Sequence, residues 1–155
     1  MMENKIIIYT DGACSGNQND ENVGGYGAVL IYKDNKKEIY GGEINTTNNR
    51  MELKACIKAL ESIKRKDIPI EVHTDSAYIC NCFNQKWYLK WMKNGWLNSK
   101  KEPVENKDLW IELINLVNSF DNINFIKVKG HSGIELNEAA DALANKGMSE
   151  IEIKK

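Results

Sequence analysis

The sequence predicts an α/β domain, a mixed sheet with helices on its faces in the order βββαβααβα. Three observations predict it. β-Branched and aromatic runs crowd the first third of the chain, apolar spacing then switches to a helical period, and strand-like and helical segments alternate from there on.

Lys5 to Thr10 (KIIIYT) reads as the first strand, and Ala28 to Tyr32 (AVLIY) as the second after a wide glycine-containing loop. A polar break at Lys33 to Lys37 lets Glu38 to Ile44 return as a third strand, which completes an antiparallel meander. Asn49 to Lys64 carries Cys56, Ala59, Leu60 and Ile63 at i, i+3, i+4 and i+7, the spacing of an amphipathic helix. Ile70 to Thr74 is the next extended run, and one helix is expected from Asp75 through Phe83 toward a tryptophan-rich stretch. Asp108 to Ser119 repeats the helical spacing, Ile123 to Val128 supplies a last strand, and Glu135 to Gly147 is a helix with Leu136, Ala139, Ala140, Leu143 and Ala144 on its apolar side.

With 155 residues and 42% hydrophobic content, the chain suits one domain over residues 1–155 that buries a core unaided. No apolar run approaches the roughly 20 residues that cross a bilayer. The opening MMENKIIIYTDG lacks the basic and long apolar parts of a secretory leader, so a cytoplasmic protein without membrane contact is expected, and a monomer. Cys14, Cys56, Cys80 and Cys82 have no paired CxxC spacing and read as reduced packing thiols. The net charge of −1 hides a concentration, because Lys86 to Lys107 holds six lysines against Glu102 and Glu105, leaving that segment +4 and the remainder −5. Such a stretch can hold a polyanion locally.

Four acids stand where structure alone does not demand them. Asp11 follows the first strand, Glu52 lies in the first turns of a helix, Asp75 ends the Ile70 to Thr74 run, and Asp141 is mid-helix opposite the apolar stripe. Each has an ordinary reading taken singly: a turn aspartate, a capping-box glutamate, a helix cap and a solvated carboxylate. Jointly they are more informative, because the ends of adjacent strands share one sheet edge where two helix acids can converge on Asp11 and Asp75. Such carboxylates repel unless cations neutralise them, and hard oxygen ligands favour Mg²⁺, with Mn²⁺ as a substitute. Two ions at such a site can hold the attacking and leaving oxygens of a phosphodiester. No nucleophile elbow or phosphate loop competes with this reading.

His131 lies in Lys129-Gly130-His131-Ser132-Gly133, just ahead of the helix with Asp141, where an imidazole can shuttle a proton; an ordinary surface histidine is the alternative. His73, inside a strand pattern, reads as structural. Trp87 and Trp91 share a helical face beside a stripe of Lys86, Lys90 and Lys93. The tryptophans are expected mainly to pack and shape a ridge, and the lysines to meet phosphates.

Tyr9-Thr10-Asp11-Gly12-Ala13-Cys14, Gly24-Gly25-Tyr26-Gly27-Ala28, Thr46-Thr47-Asn48-Asn49-Arg50-Met51-Glu52-Leu53, Thr74-Asp75-Ser76, Trp91-Met92-Lys93-Asn94-Gly95-Trp96 and Val128-Lys129-Gly130-His131 resemble bacterial type 1 ribonuclease H in order and spacing, over roughly Lys5 to Met148. The resemblance implies a ribonuclease H-like fold with a five-stranded mixed sheet, and endonucleolytic cleavage of the RNA strand of RNA–DNA hybrids leaving 5′-phosphate and 3′-hydroxyl ends. It makes Asp11, Glu52, Asp75 and Asp141 the metal-binding catalytic acids and His131 the histidine of the catalytic cycle. By similarity, Asn17, Asn48 and Asn49 are candidates for nucleotide contacts across the minor groove, and Thr47 with Asn106 for a DNA-phosphate pocket. The stretch Lys86 to Lys101 resembles the family's basic protrusion.

Three positions depart from that pattern. Ser15 to Val23 is longer than the usual turn and adds Asp20 and Glu21, Ala77 stands where relatives often carry glutamine, and Asn45 replaces a basic residue expected beside the phosphate pocket. Two other classes compete with the hydrolase reading. A hybrid-binding module without catalysis keeps the lysines but loses an acid, and a DNA-acting nuclease on the same fold lacks the Thr46 to Glu52 motif and the basic stretch.

Overall fold

The computed structural model describes residues 4–15, 22–129 and 135–154. Five strands, β1 (Ile6–Ser15), β2 (Val23–Tyr32), β3 (Asn35–Ile44), β4 (Ile70–Thr74) and β5 (Ile123–Lys127), form one sheet in the order β3-β2-β1-β4-β5. β1, β2 and β3 pair antiparallel, while β4 lies parallel to both β1 and β5. This is the predicted mixed sheet.

Both strands of the first hairpin are longer than their apolar runs. β1 continues through Asp11 to Ser15, and β2 begins at Val23, so Gly24, Gly25 and Gly27 are paired strand residues opposite Cys14, Ala13 and Asp11. The expected glycine loop is therefore mostly strand. Its glycines reflect close helices on both faces: a Cβ on Gly27 would stand 2.5 Å from the Ala140 carbonyl oxygen, and one on Gly12 would stand 2.6 Å from the Glu52 nitrogen. The break at Lys33 to Lys37 contracts likewise to a two-residue turn at Lys33 and Asp34, with Tyr32 paired to Asn35.

The helices are α1 (Asn48–Glu61), α2 (Ala77–Asn84), α3 (Trp87–Asn94), α4 (Lys107–Asn118) and α5 (Glu135–Lys154). Between β4 and β5 the chain thus forms three helices where the sequence predicts two. The apolar spacing runs on, but Lys86 adopts a left-handed conformation (φ 58°) that breaks α2 from α3. α1 is capped by Thr47, whose side chain accepts from the Arg50 backbone N–H. Its apolar face packs on Ile6, Ile8, Ala28 and Leu30 together with Ile79, Leu109, Trp110 and Leu113, forming the main core. α5 covers the opposite face, where residues 25 and 27 of β2 meet Ala144 and Ala140. No helix among the described residues is long and apolar enough to cross a membrane.

α3 is built differently. It has no fully buried residue, and Trp91 ties it to the core, packing 5.5 Å from the fully buried Trp110 ring and 5.9 Å from Trp96. Trp87 leans on Trp91 at 6.3 Å.

Candidate active site

β4 and its ladder to β1 end together, the last pair being Thr10 with Thr74. The next residue on each strand is an acid. Asp11 remains in β1, held only on the β2 side by its pairing to Gly27, so it lies within a strand rather than beyond its end. Side chains alternate along β1, and Asp11 faces α5, the opposite side from Gly12. Asp75 leaves the end of β4 ahead of Ser76, and Ser76 rather than Asp75 caps α2, accepting from the Ile79 N–H at 3.2 Å. The Asp75 carboxylate is thus not consumed by a cap.

Glu52 arrives from the other face of the sheet. It stands two residues past the position a capping box requires, which Arg50 occupies, so the capping reading fails. The residue is 3% exposed. It accepts from the Gly12 N–H at 3.1 Å, and Thr74 Oγ1 donates to it at 3.5 Å. Gly12, with no Cβ to collide with α1, is what allows that approach.

One carboxylate oxygen from each of Asp11, Glu52 and Asp75 can be chosen so that all lie within 4.8 Å of one another. Asp141 comes from α5 and lines the same depression of about 380 Å³. Asn48, Asn49, Ser76, Ala77 and Tyr78 complete its wall. Burial first, then the Asp141 carboxyl and the Asp75 charge, push Asp11 up to about 7. Burial and the charges of Asp11 and Asp75 also raise Glu52 well above the usual carboxylate range. Acids so crowded and so partly desolvated are short of positive charge, and an all-oxygen donor set suits a hard divalent cation. A second depression, about 290 Å³ between Ile6, Leu30, Ile63 and Ile68, has no acid in its wall.

The sequence pattern of the RNase H family matches residues 3–149. The chain belongs to the RNase H family. It is 56% identical over 142 residues to the ribonuclease H of Caldanaerobacter subterraneus subsp. tengcongensis, covering 91% of this chain and 90% of that one. Among solved structures it is similar to LC9-RNase H1, a type 1 RNase H with the type 2 active-site motif, with a TM-score of 0.83, 30% identity, and coverage of 97% of this chain and 74% of that one. It is also similar to LC11-RNase H1, solved in complex with an RNA/DNA hybrid, with a TM-score of 0.69 and 27% identity over 96% of this chain and 99% of that one. Like other members of the RNase H family, the chain is a metal-dependent ribonuclease, and its acid cluster has the chemistry to hold the metal.

The remaining residues singled out from the sequence fall into several groups relative to this RNase H site. Asn48 and Asn49 share the wall of the acid depression, as does Ala77. Thr47 and Asn106 stand to one side, joined through Arg50: its N–H donates to Thr47 Oγ1 at 3.1 Å and its Nη1 to Asn106 Oδ1 at 3.3 Å. Lys86, Lys90 and Lys93 are exposed on or beside α3, with Trp87 and Trp91 partly buried beneath them. Asn17 and His131 lie outside the described residues, as does most of the long loop after Ser15. His73 belongs to the sheet: its ring stacks on Tyr9 at 4.5 Å, and Nε2 lies 3.4 Å from Glu71. All four cysteines are free thiols. Sequence reasoning gave no role to Arg50 or Tyr78, although Arg50 sits inside the Thr46 to Leu53 motif and Tyr78 two residues past the Thr74-Asp75-Ser76 motif.

Proposed function

We propose that the chain is an endonuclease that hydrolyses the RNA strand of RNA–DNA hybrids with two divalent cations, Mg²⁺ or in its place Mn²⁺, leaving 5′-phosphate and 3′-hydroxyl ends. The observation that carries this reading is the meeting of three acids from two strands and a helix within 4.8 Å, with Asp141 on the same wall. Asp11, Glu52, Asp75 and Asp141 are the residues to hold the metal. When bound there, the cations neutralise the carboxylates and supply Lewis-acid stabilisation to the attacking and leaving oxygens.

The protein's own groups do the rest. Gly12 N–H and Thr74 Oγ1 fix the Glu52 carboxylate, so that one ligand is held in place by the protein itself. Asn48 and Asn49 offer amides beside the acids, where a minor-groove 2′-hydroxyl distinguishes RNA from DNA. Asn17 is a further candidate for these contacts, and His131 moves a proton at the leaving or attacking oxygen. Thr47 and Asn106 take a phosphate of the DNA strand. Lys86, Lys90 and Lys93 hold the duplex farther out, over the ridge of Trp87 and Trp91. The hybrid in the LC11-RNase H1 complex supports the substrate class. We also read the protein as a cytoplasmic monomer, its four free thiols suiting a reducing compartment.

The deciding experiment presents labelled RNA–DNA, RNA–RNA and DNA–DNA duplexes with and without Mg²⁺. Cleavage confined to the hybrid's RNA strand, dependent on Mg²⁺ and giving ligatable 5′-phosphate products, is expected. Binding without cleavage leaves a hybrid-binding module, and cleavage of DNA–DNA assigns a different nuclease.

A further inference from the structure

Three segments are tied together beside the acid depression. Arg50, in the first turn of α1, forks onto Asp108 at the start of α4, with Nη1 to Oδ1 at 3.0 Å and Nη2 to Oδ2 at 2.8 Å. Asp108 is pulled down to about 2, chiefly by that hydrogen bond, so the fork stays ionised at neutral pH. Nη1 also donates to Asn106 Oδ1, and the Arg50 backbone N–H donates to Thr47 Oγ1.

The chemistry of these bonds is one-sided. A guanidinium has no acceptor, so the end of the Asn106 amide that meets it must be the oxygen. The Asn106 backbone is left-handed (φ 62°) and its side chain makes no cap on α4, so the helix end does not orient the amide. With Oδ1 on Arg50, Nδ2 is turned the other way, one proton toward Tyr78 Oη at 3.4 Å and one available to a ligand. Thr47 is held independently of the guanidinium, as the cap of α1. Its oxygen accepts from Arg50, which leaves the hydroxyl proton to donate. Tyr78 is itself fixed by the indole N–H of the buried Trp110, which donates to its hydroxyl at 2.8 Å. A phosphate oxygen can only accept, and this arrangement offers it donors.

We propose that Arg50, locked by Asp108, is a positioning residue that turns the donor side of Asn106, beside Thr47, toward a phosphate of the DNA strand. The inference rests on the assignment of Thr47 and Asn106 to that pocket. Arg50 acts through orientation, since Asp108 already balances its charge. A lysine is a point cation and cannot hold Asp108 and the amide in one plane.

The test moves a single uncharged methylphosphonate linkage along the DNA strand of a hybrid and compares cleavage by wild type, Arg50→Ala, Arg50→Lys and Asn106→Asp. Wild type is expected to lose about tenfold in kcat/KM at one linkage, the scale of one hydrogen bond to a charged group. Asn106→Asp, which replaces donors by acceptors, is expected to lose about as much on unmodified hybrid and nothing more at that linkage. If wild type is indifferent to every linkage, or Asn106→Asp keeps the wild-type sensitivity, the pocket assignment falls and the inference with it. Where the pocket stands, both Arg50 variants are expected to raise KM about tenfold with kcat within about twofold, and to be insensitive to the same linkage. Arg50→Lys decides if the alanine variant melts below the assay temperature. Wild-type linkage sensitivity in Arg50→Lys, or losses that simply add, overturns the role of Arg50 and leaves the pocket intact.

Discussion

Asp11 and Glu52 are 8% and 3% exposed and are carried by a central strand and by the helix packed on it, whereas Lys86, Lys90 and Lys93 are exposed on or beside a helix with no fully buried residue. The difference suits the roles proposed for the two regions. Holding cations to their ligands tolerates displacements of only tenths of an ångström, and the burial of Asp11 and Glu52 suits that proposed role. Phosphate contacts are long-range and read no bases, so lysines on a peripheral helix suffice. Even there the tryptophans anchor the helix, through Trp91 on Trp110.

If the two regions divide the work in this way, each can be disabled without the other. Asp75→Asn keeps the shape of the side chain and removes a charge from the cluster, so cleavage of hybrid is expected to fall to background while hybrid affinity is retained; turnover near wild type in the purified variant would remove Asp75 from the site. A smaller and opposite effect is expected from Lys86→Ala, Lys90→Ala and Lys93→Ala combined. Each lysine that neutralises a phosphate contributes about 0.9 to the slope of log affinity against log salt on a B-form duplex, so the slope should flatten by about two to three units on a hybrid. KM should rise and saturated kcat should hold, because no acid is touched. An unchanged salt slope would leave these lysines as a solvated face.

The sequence carried the two regions unequally as well. Period-2 and period-3.6 patterns marked all five strands and most helices, and the four acids, each with an ordinary reading alone, stood out through their joint pattern and the family resemblance. The depth of Glu52 was not legible, since it depends on Gly12 allowing α1 against β1, a contact 40 residues apart in the chain. Gly25 and Gly27 of β2 looked like loop for the same reason: their cause is α5, more than 100 residues away, while Gly24 is crowded by Thr46 and Met51. The break at Lys86 leaves no local signal, because lysine has no preference for the left-handed region and the apolar spacing continues through it. Asn17 and His131 rest on sequence alone.

The central claim is that Asp11, Glu52 and Asp75 form a strained anionic cluster that a divalent cation relieves. A carboxyl whose pKa is raised by folding keeps its proton in the folded state over the interval where the unfolded chain has already lost it. Folding is therefore favoured by acid across that interval, and for Asp11 stability is lost as pH climbs from about 4, the unfolded value, to about 7, with Glu52 acting in the same direction. The lowered groups Asp108, Asp67 and Glu71 act with the opposite sign at lower pH, around and below their ordinary values. The measurement is the thermal unfolding of metal-free protein between pH 5 and pH 7.5, repeated with Mg²⁺ and with Asp11→Asn. Wild-type Tm is expected to fall as pH rises and to recover with Mg²⁺, by roughly 5–10 °C if the ion is present at about a hundred times its Kd, while Asp11→Asn shows a flatter pH profile and a weaker response to the ion. A metal-free Tm that is level or rising over this range, with no response to Mg²⁺, would contradict the account.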